Sequence, residues 1–455
     1  MTGSGPIPSV AEARAVARQL EAGGVRLLAM TMVDNAGIAR VKVVPVERVE
    51  AVARGGVGMS SIWAVAAADD HFAATDAYGS PSGDMRLIPD LSAIRPLAAA
   101  PGYAWAPVWQ FGQELDHLPA CQRGALARVV DAGAALGLEF RLTFEVELTL
   151  LTAAGTPAHG GPGYSPRALL PLQAFALDLV RALGAQGIAV EQLHPEYSPG
   201  QFEVSVAPVP PLEAADQLVL LRLTARQVAR AHGLDVSFAP VVLPDAVGNG
   251  CHLHVSAWRD GRNLMAGLAD DGGDPEGRSL VAGVLRQLPA LVGVLAPSVP
   301  SYGRLQPSRW AGAFTCWGVE NREAALRVIP GTRGTRERSA NLELKTVDGA
   351  ANPYVAAAAV LGAGLDGVRS SLELGPAVQD DPATLPERER SALGIERLPE
   401  SLAEAILRLQ GSPVLRDALG RELFDAVVAV RRFEWERFRE ATPEELAAAH
   451  RFLYG

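Results

Sequence analysis

Acidic and imidazole side chains are spaced in this sequence so that they could bind a metal ion. In the apolar run 139–151, Glu145 and Glu147 stand at positions i and i+2. Alternate residues of a β-strand point to the same face, so a strand here would carry both carboxylates on one face. Two neighbouring carboxylates repel each other and need a cation or protons when they are buried. The segment predicts either a cation-binding strand or a strand whose polar face meets solvent.

Three later segments carry polar groups of the same kind. Glu196 and Glu203 flank a Pro-Gly turn. His252 and His254 follow a glycine-rich loop, and Glu343 lies in an alternating segment. Each segment alone is weak evidence for a metal site, because a lone histidine is usually structural. Together, four strands with such groups on one face predict a common oxygen-rich site, and a ligand set dominated by carboxylates favours Mg²⁺ or Mn²⁺ over zinc.

Arginines cluster close to these strands, at positions 322, 327, 333, 336 and 338. Cationic groups beside a hard-metal site are the arrangement that phosphoryl transfer requires. A solvated basic loop is the alternative interpretation. The sequence has no Walker loop of the form GxxxxGK[ST], so a nucleotide would be held mainly by metals and arginines.

Composition limits the class of protein that could carry this site. The chain has 455 residues, of which 48% are hydrophobic and 20% are charged, as a well-packed globular protein requires. Its formal charge of −10 argues against nucleic acid as the main partner. Three widely separated cysteines fit a reducing compartment, and neither a signal peptide nor an uncharged apolar run long enough to span a bilayer is visible. We therefore expect a cytoplasmic protein without a membrane partner.

Apolar periodicity predicts the elements that must position the site. A helix over 9–22 and strands over 25–33 and 39–45 form a small β-rich opening unit, and the run PLAAAP places a domain boundary near residue 98. Beyond this boundary, apolar periodicity predicts a large α+β body. Its helices are expected at 123–137, 167–186, 211–232, 278–295, 352–370 and 413–438, and its strands at 139–151, 201–207, 236–242, 251–258, 313–319, 323–329 and 341–347.

Motifs along nearly the whole chain occur in the order of a known family. They are VDNAG at 33–37, FEVE at 144–147, PGQFE at 199–203, GCHLH at 250–254, NR at 321–322 and DGAANPY at 348–354. In this order they resemble the type I-like glutamine synthetase family, and in character its γ-glutamyl-amine ligases. The resemblance implies an α+β fold with an amino-terminal β-grasp domain at 1–98. It also implies a catalytic domain at 99–455, with a curved antiparallel sheet and surrounding helices.

The resemblance also implies roles for individual residues. The first metal would be held by Glu147, Glu196 and Glu203, and the second by Glu145, His252 and Glu343. Nucleotide contacts would come from His254, Ser256, Arg322, Arg327 and Arg338, of which Arg322 and Arg327 would also stabilise the transferring phosphoryl group. Glutamate contacts would come from Gly248, Arg304 and Lys345. The implied reaction uses ATP and two or three Mg²⁺ or Mn²⁺ ions: a carboxylate is first phosphorylated, and an amine then displaces phosphate to form an amide.

The family also implies a homo-oligomer, namely a dodecamer of two hexameric rings. In this assembly Asp34 resembles the catalytic aspartate that polarises ammonium from a neighbouring subunit. Two positions depart from the family pattern on the substrate side: Lys345 and Asn341 each stand where the family has an arginine. Lysine offers a point charge instead of a bidentate fork, so two acids are compatible with the pattern: glutamate and a relative of it.

The flap at 307–313 carries the most informative departure. Trp310 stands where ammonia-using members have a glutamate that takes a proton from ammonium. An indole cannot accept a proton, and its bulk suits a carbon-bearing amine better than a small hydrated cation. The leading hypothesis is therefore an ATP-dependent ligase that joins glutamate to an organic amine. Two alternatives remain: an ammonia-using glutamine synthetase in which Trp310 only packs the loop, and a catalytically silent structural or regulatory homologue.

Overall fold

The computed structural model describes residues 7–270 and 273–455. The amino-terminal unit contains two helices and a mixed sheet. Its helices are α1 (Val10–Ala22) and α2 (Val49–Gly55), and its strands are β1 (Leu27–Val33), β2 (Ala39–Pro45), β3 (Val57–Ser60), β4 (Asp84–Pro89), β5 (Arg95–Pro96) and β6 (Tyr103–Phe111). The strands lie in the order β2-β1-β6-β4-β3, with β5 paired to β6. Strand β1 runs parallel to β6, and β2 lies antiparallel to β1.

Local sequence explains why this unit begins as it does. Ser9 caps α1 by accepting a hydrogen bond from the Glu12 backbone, and the Glu12 carboxylate accepts from the Ser9 backbone in return. Strand β1 is apolar except for Thr31 and is almost entirely buried. Leu28 and Met30 lie in the core of the unit with Met85 of β4. The predicted helix and the first two strands are thus present nearly within their expected limits.

Strand β6 shows that the predicted domain boundary near residue 98 is too early. Its residues 103–107 pair with β1, and its residues 108–111 pair with β4. A break at 98 would therefore remove the strand that joins the two halves of the amino-terminal sheet. The structural boundary lies after Phe111 and before the first helix of the catalytic unit, which begins at Gln122. Sequence reasoning missed it because the run at 96–101 is a turn between two paired strands.

The catalytic unit contains the second sheet and most of the helices. Its strands are β7 (Glu139–Thr152), β8 (Val190–Pro195), β9 (Gln201–Val206), β10 (Leu234–Ser237), β11 (Cys251–Arg259), β12 (Arg262–Asn263), β13 (Trp317–Val319), β14 (Leu326–Ile329) and β15 (Asn341–Leu344). Within the described chain, this sheet has the order β13-β14-β15-β11-β7-β9-β8, with β10 beside β7 and β12 beside β11. All its pairings are antiparallel except that of β13 with β14.

Helices surround this sheet. They are α3 (Gln122–Ala134), α4 (Pro166–Leu169), α5 (Gln173–Ala185), α6 (Pro211–Ala231), α7 (Pro275–Leu295), α8 (Ser301–Arg304), α9 (Arg336–Ser339), α10 (Pro353–Arg369), α11 (Glu387–Ala392), α12 (Leu402–Gln410), α13 (Pro413–Leu419), α14 (Arg421–Phe438) and α15 (Pro443–His450). The helix predicted at 413–438 is two helices, because Gly420 has a φ of 78° and breaks the right-handed path. The predicted α+β class is confirmed.

Helices α7 and α10 form the centre of the helical layer. Small residues let their backbones approach closely, since a Cβ at Gly283 of α7 would clash with the Ala363 carbonyl of α10. Most of α10 is buried, including a run of four alanines at 356–359. Two stretches, Pro166–Ala185 and Pro275–Leu295, pass a length and composition test for membrane spans. This is weak support for a membrane protein, because the most apolar window of the second is 72% buried and 3-10 geometry interrupts the first at Leu170–Leu172.

Buried charges lie where the amino-terminal unit meets the catalytic helices, a region called the seam below. Arg123 of α3 bridges Asp90 of the amino-terminal unit and Asp216 of α6, at 2.9 and 2.8 Å. Further along the seam, Arg431 of α14 donates to the Asn35 carbonyl at 2.6 Å. The seam thus ties the two units together with charges that have partners inside the chain.

Candidate active site

The register of the second sheet brings the predicted ligands onto one face. His252 of β11 lies opposite Glu145 of β7, and Glu147 of β7 lies opposite Glu203 of β9. At the far side of the sheet, Glu343 of β15 lies opposite Arg327 of β14. Residues directly opposite each other on antiparallel strands project to the same face, with Cβ atoms about 4.5–5.5 Å apart. Five strands therefore supply one polar surface.

This surface is the floor of a cavity of about 290 Å³. Its lining contains acidic, basic and aromatic side chains. The described residues that line it include Glu145, Glu147, Glu196, Glu203, His194, His252, Arg304, Arg309, Arg322, Arg327, Lys345, Tyr164, Tyr197, Trp310, Gln201 and Gly248. Most of the residues predicted for the site are thus brought together.

One group of possible metal ligands reproduces a predicted set. Ligand atoms of Glu145, His252 and Glu343 all lie within 4.8 Å of one another. His252 Nδ1 lies 3.1 Å from Glu145 Oε1 and 3.2 Å from Glu343 Oε1. Arg304 Nη2 lies 3.1 Å from the other ring nitrogen of His252 and fixes the orientation of the ring. These three residues fit a hard divalent cation, because they offer carboxylate oxygens and an imidazole nitrogen.

The second group differs from prediction in one member. Glu196 and Glu203 lie within 4.8 Å of a ligand atom of His194, to which sequence reasoning gave no role. His194 Nε2 lies 2.9 Å from Glu196 Oε1. His194 belongs to this group because the strand register places it on β8 opposite Glu203 of β9. The available signal was its position two residues before Glu196, on the same face of a strand.

Glu147 stands between the two groups. Its Oε2 accepts hydrogen bonds from Gln201 Nε2 at 2.9 Å and from the Gly250 backbone at 2.8 Å. Its other oxygen lies 3.7 Å from His252 Nε2. Two fixed donors thus orient one oxygen and leave the other directed toward the ligand groups. The predicted membership of Glu147 in the first metal site stays a prediction.

The positive groups of the chain do not fully neutralise the buried carboxylates of the site. Burial and the neighbouring Glu145 and Glu147 carboxylates raise the pKa of Glu203 to about 10. Burial also opposes ionisation of Glu145 and Glu343. The histidines, His252 first, nevertheless hold the pKa of Glu145 well below its ordinary value, and the Lys345 ammonium does the same for Glu343. The chain neutralises only part of its carboxylate cluster, so a multivalent cation fits there.

Basic side chains occupy the other side of the cavity. Arg327 Nη1 lies 3.1 Å from Glu343 Oε2, and its guanidinium also pairs with Glu320. Lys345 Nζ lies 3.1 Å from Glu343 Oε1. Arg304 Nη1 is buried and has no hydrogen-bond partner among the described residues. A buried arginine nitrogen of this kind is a ready donor for an anionic ligand.

Gly248 permits the close approach of helix α8, which ends at Arg304. A Cβ at Gly248 would clash with the Pro240 carbonyl and press on the Arg304 side chain. The Gly248 carbonyl accepts a hydrogen bond from Gln201 at 3.1 Å. The predicted glutamate contacts Gly248, Arg304 and Lys345 therefore lie on one wall of the cavity.

Trp310 lies at the open edge of the cavity and is 44% exposed. Its backbone N–H donates to Glu323 Oε1 at 2.9 Å, a contact that sequence reasoning did not anticipate. Ser308 and Trp310 have φ angles of 53° and 57°, in the left-handed region that bulky residues rarely adopt. Ser308 Oγ also donates to Asp381 at 2.8 Å. The flap is thus held by two carboxylates that bind its backbone and its serine, while the indole lines the cavity.

Three predicted nucleotide contacts lie outside the described lining of the cavity. His254 Nδ1 lies 3.0 Å from Asn341 Oδ1, and Ser256 accepts a hydrogen bond from Trp258 Nε1 at 2.9 Å. Arg338 is exposed on α9. Their roles stay predictions.

Asp34 lies in the turn between β1 and β2. Its carboxylate is completely buried in its own chain. It pairs with Arg40 of β2 at 2.7 Å and accepts backbone hydrogen bonds from Ala36 and Ile38. Within its own chain, the side chain therefore holds the turn and the start of β2 together. The catalytic role of Asp34 toward a neighbouring subunit stays a prediction.

Known proteins share both the sequence and the fold of this chain. Residues 119–448 match the model of the glutamine synthetase catalytic domain. The chain is 50% identical to the gamma-glutamylpolyamine synthetase GlnA3 of Streptomyces coelicolor, and the match covers 100% of both chains.

Two solved structures extend this similarity to the fold. A glutamine synthase homologue has a TM-score of 0.84 at 33% identity and covers 94% of this chain and 99% of its own. GmaS in complex with ADP has a TM-score of 0.82 at 26% identity, over 94% of this chain and 97% of its own. The predicted family and the predicted class, an ATP-dependent ligase, are both confirmed. The chain belongs to the glutamine synthetase family.

Proposed function

We propose that this enzyme uses ATP to join the γ-carboxyl group of glutamate to a linear polyamine. The observation that carries the proposal is Trp310, which places an indole at the open edge of a cavity lined with carboxylates. The name of the gamma-glutamylpolyamine synthetase from Streptomyces coelicolor supports polyamines as the acceptors, since that protein is 50% identical over its full length. The reaction passes through a γ-glutamyl phosphate, from which the amine displaces phosphate.

The division of charge in the cavity assigns the substrates to its two sides. The basic wall of Arg304, Arg322 and Lys345 receives the carboxylates of glutamate and the transferring phosphoryl group. The unpartnered Nη1 of Arg304 is the donor that a glutamate carboxylate would meet first. The acidic wall of Glu196 and Glu203 attracts the amine as a cation. Arg327 stabilises charge on the phosphoryl oxygens, and His254, Ser256 and Arg338 serve the nucleotide.

The family uses divalent metals with ATP, and the two ligand groups of this chain fit Mg²⁺ or Mn²⁺. Glu145, His252 and Glu343 would hold one ion, and Glu196 and Glu203, with Glu147 or His194, would hold another. When bound, such ions neutralise the phosphates and orient them for transfer. The chain itself supplies the orientation of the ligands, through Gln201 on Glu147 and Arg304 on His252.

The acceptor is tested by measuring phosphate release with glutamate, ATP and a panel of amines. The panel contains ammonium, ethanolamine, butylamine, putrescine, spermidine and spermine. We expect the highest kcat/KM for a polyamine, and a low value for ammonium, because a small hydrated cation gains little from an indole surface. Ammonium used at least as efficiently as every other amine would overturn the proposal in favour of an ordinary glutamine synthetase. Absence of turnover with every amine would favour the silent homologue.

Variants at Trp310 sharpen this test. Trp310→Ala should lower kcat/KM for the preferred polyamine by about 10- to 30-fold, the scale of a lost aromatic contact. Trp310→Glu should shift preference toward ammonium, because it restores a carboxylate beside the acceptor. The matched control is Phe452→Ala, since Phe452 is 43% exposed and lies at the carboxyl terminus, outside the lining of the cavity. An equal loss of kcat/KM for the polyamine in Trp310→Ala and Phe452→Ala would show that Trp310 does not contact the amine.

The dodecamer of two hexameric rings and the cytoplasmic location are part of the proposal. An assembly is supported by the outer strand β2, whose Val41 and Val43 are 54% and 47% exposed at the edge of the amino-terminal sheet. A reducing compartment is supported by Cys121, Cys251 and Cys316, which are buried and free. Sedimentation of the purified protein tests the assembly, and an active monomer would contradict it.

A further inference from the structure

Three aromatic side chains line the cavity, and one of them contacts the other two. Tyr164, Tyr197 and Trp310 form this group, called the aromatic rim below. The ring of Tyr197 meets the ring of Trp310 edge to face at 4.9 Å and that of Tyr164 at 5.6 Å. These distances are typical of aromatic pairs in contact. The rim therefore behaves as one surface, although its members come from three separate loops.

The backbone holds two members of the aromatic rim in unusual conformations. Tyr164 and Trp310 both have a φ of 57°. Left-handed backbone is costly for bulky residues, and such strain concentrates where side chains are positioned for binding. Tyr164 is fixed further by its hydroxyl, which donates to Glu196 Oε1 at 2.5 Å, and by stacking on His194 at 4.7 Å. The Tyr197 backbone donates to the other oxygen of Glu196 at 3.0 Å.

The aromatic rim lies on the solvent side of the carboxylates. Tyr164, Tyr197 and Trp310 are 55%, 47% and 44% exposed, whereas Glu196 and Glu203 are 7% and 8% exposed. The fold therefore holds three large rings at the cavity entrance, over acids that lie deeper. A surface of this kind is matched to a cation, since the faces of its rings carry negative charge.

We propose that the aromatic rim binds the distal, unreacting ammonium group of the amine and so selects substrates with a second positive charge. The inference rests on the proposed function, because it requires an organic amine as the acceptor. The reacting nitrogen must lose a proton and reach the acyl phosphate among the buried ligands. The remaining cationic end of a long amine then extends toward solvent, where the rim stands. A monoamine of the same length lacks the group that the rim recognises.

The first experiment compares putrescine with butylamine, which share a four-carbon chain but differ by one amino group. In the wild-type enzyme we expect a lower KM for putrescine. Tyr197→Leu keeps apolar volume but removes the ring, so it should raise the KM for putrescine by about 3- to 30-fold, the range of cation–π contributions. The KM for butylamine should rise less. Tyr197→Phe keeps the ring, so it should raise the KM for putrescine less than Tyr197→Leu does.

The matched control is Tyr103→Leu, because Tyr103 is 39% exposed at the start of β6 and is not among the described residues that line the cavity. Equal rises in KM for putrescine and butylamine in Tyr197→Leu would overturn the proposal and leave an apolar contact in its place. So would a Tyr103→Leu variant that behaves like Tyr197→Leu.

The second experiment measures binding without turnover. Hexamethonium carries a quaternary ammonium group at each end of a six-carbon chain and has no N–H, so it cannot be acylated. Calorimetric titration of wild-type enzyme with hexamethonium should show binding, which weakens by about 3- to 30-fold in Tyr197→Leu and in Trp310→Leu. Unchanged binding in both variants would overturn the aromatic rim as a cation site. If hexamethonium binds at the rim while no polyamine is a substrate, the proposed function fails and the selection of polyamine substrates fails with it, whereas the rim remains a cation site. If polyamines are substrates but neither variant changes hexamethonium binding, the rim proposal fails and the proposed function stands.

Discussion

Buried charges behave differently in the active-site cavity and in the seam between the two units. In the seam, Asp216 lies 2.8 Å from Arg123 and also accepts the Tyr354 hydroxyl at 2.7 Å. In the cavity, Glu203 faces the carboxylates of Glu145 and Glu147, which raise its pKa. Burial raises the pKa of both acids, but the arginine counteracts the shift at Asp216.

The difference separates acids that hold the fold from acids that bind a ligand. A buried charge is tolerated when it is paired, and it is costly when it is left alone. Where the chain supplies the partner, the acid joins two elements of the fold. Where acids outnumber their internal partners, the missing charge must come from outside. A shortage of internal cations across a group of buried acids is thus a better guide to function than the burial of any one acid, since Glu343 belongs to the site although Lys345 and Arg327 pair with it.

The largest effect is expected from an acid of the cavity. Glu203→Gln should lower turnover by at least about 1,000-fold, because a metal ligand supplies several kcal/mol in the transition state. The same change should raise the melting temperature of the metal-free protein by about 2–4 °C, since it removes a repelled carboxylate. Phosphate release and thermal unfolding with and without Mg²⁺ measure the two effects. Glu191→Gln, an exposed acid on the neighbouring strand β8, is the control.

Retained turnover in Glu203→Gln would show that this carboxylate is not a metal ligand. A lower melting temperature without metal would show that the carboxylate already has a stabilising partner in the chain. Either result would remove the contrast between the cavity and the seam at this position.

A smaller effect is expected from an acid of the seam. Asp216→Ala should lower the free energy of unfolding by about 3 kcal/mol, because a buried arginine loses a partner. Asp90 and the ring of Trp109, over which the Arg123 guanidinium lies at 4.0 Å, still contact the arginine. Urea unfolding measures the change. Asp178→Ala serves as the control because Asp178 is exposed, and an equal change in the two variants would contradict the role of the seam.

Per pH unit, the smallest change in stability comes from titration of a buried acid. Burial raises the pKa of Glu434 from 4.5 to about 7, and the Arg431 guanidinium opposes this shift. The folded protein therefore keeps a proton that the unfolded chain loses, so stability should fall as pH rises from about 4.5 to about 7, by at most about 1.4 kcal/mol per pH unit. Glu434→Gln should remove this part of the dependence of the unfolding free energy on pH. Urea unfolding at pH 5, 6, 7 and 8 measures that dependence. Glu436→Gln, on the exposed face of the same helix, should keep it, and identical slopes in all three proteins would refute the assignment.

Sequence patterns predicted the strands of the site and its carboxylates because both follow a period of two residues. Glu145 and Glu147 could be placed on one face before any pairing was known, whereas the position of Glu203 beside them depends on the pairing of β7 with β9. Glu323 could not be predicted, since its partner is a backbone N–H thirteen residues earlier in a flap of irregular conformation. Strand β6 was assigned to the wrong unit for a similar reason, because its partners β1 and β4 are identified only by the sheet register.

The contacts of Asp34 also required the structure. The motif at 33–37 does not specify that the carboxylate closes its own turn and pairs with Arg40. Likewise, Tyr164 belongs to the site through a backbone conformation that its sequence neighbourhood does not specify. Residues that act through long-range contacts are therefore the ones that required the structure.

The hydrogen bond that Glu323 accepts from the flap has an evolutionary consequence. Because this carboxylate binds the backbone at position 310 and not its side chain, the loop can keep its shape while the residue displayed there changes. A single substitution at this position could therefore change which amine the enzyme uses, without other changes in the active site. The left-handed backbone at this position restricts the exchange, since asparagine, aspartate and glycine adopt it readily whereas valine and isoleucine do not. Libraries at position 310 should yield new acceptor preferences from that permitted set before they yield them from β-branched residues.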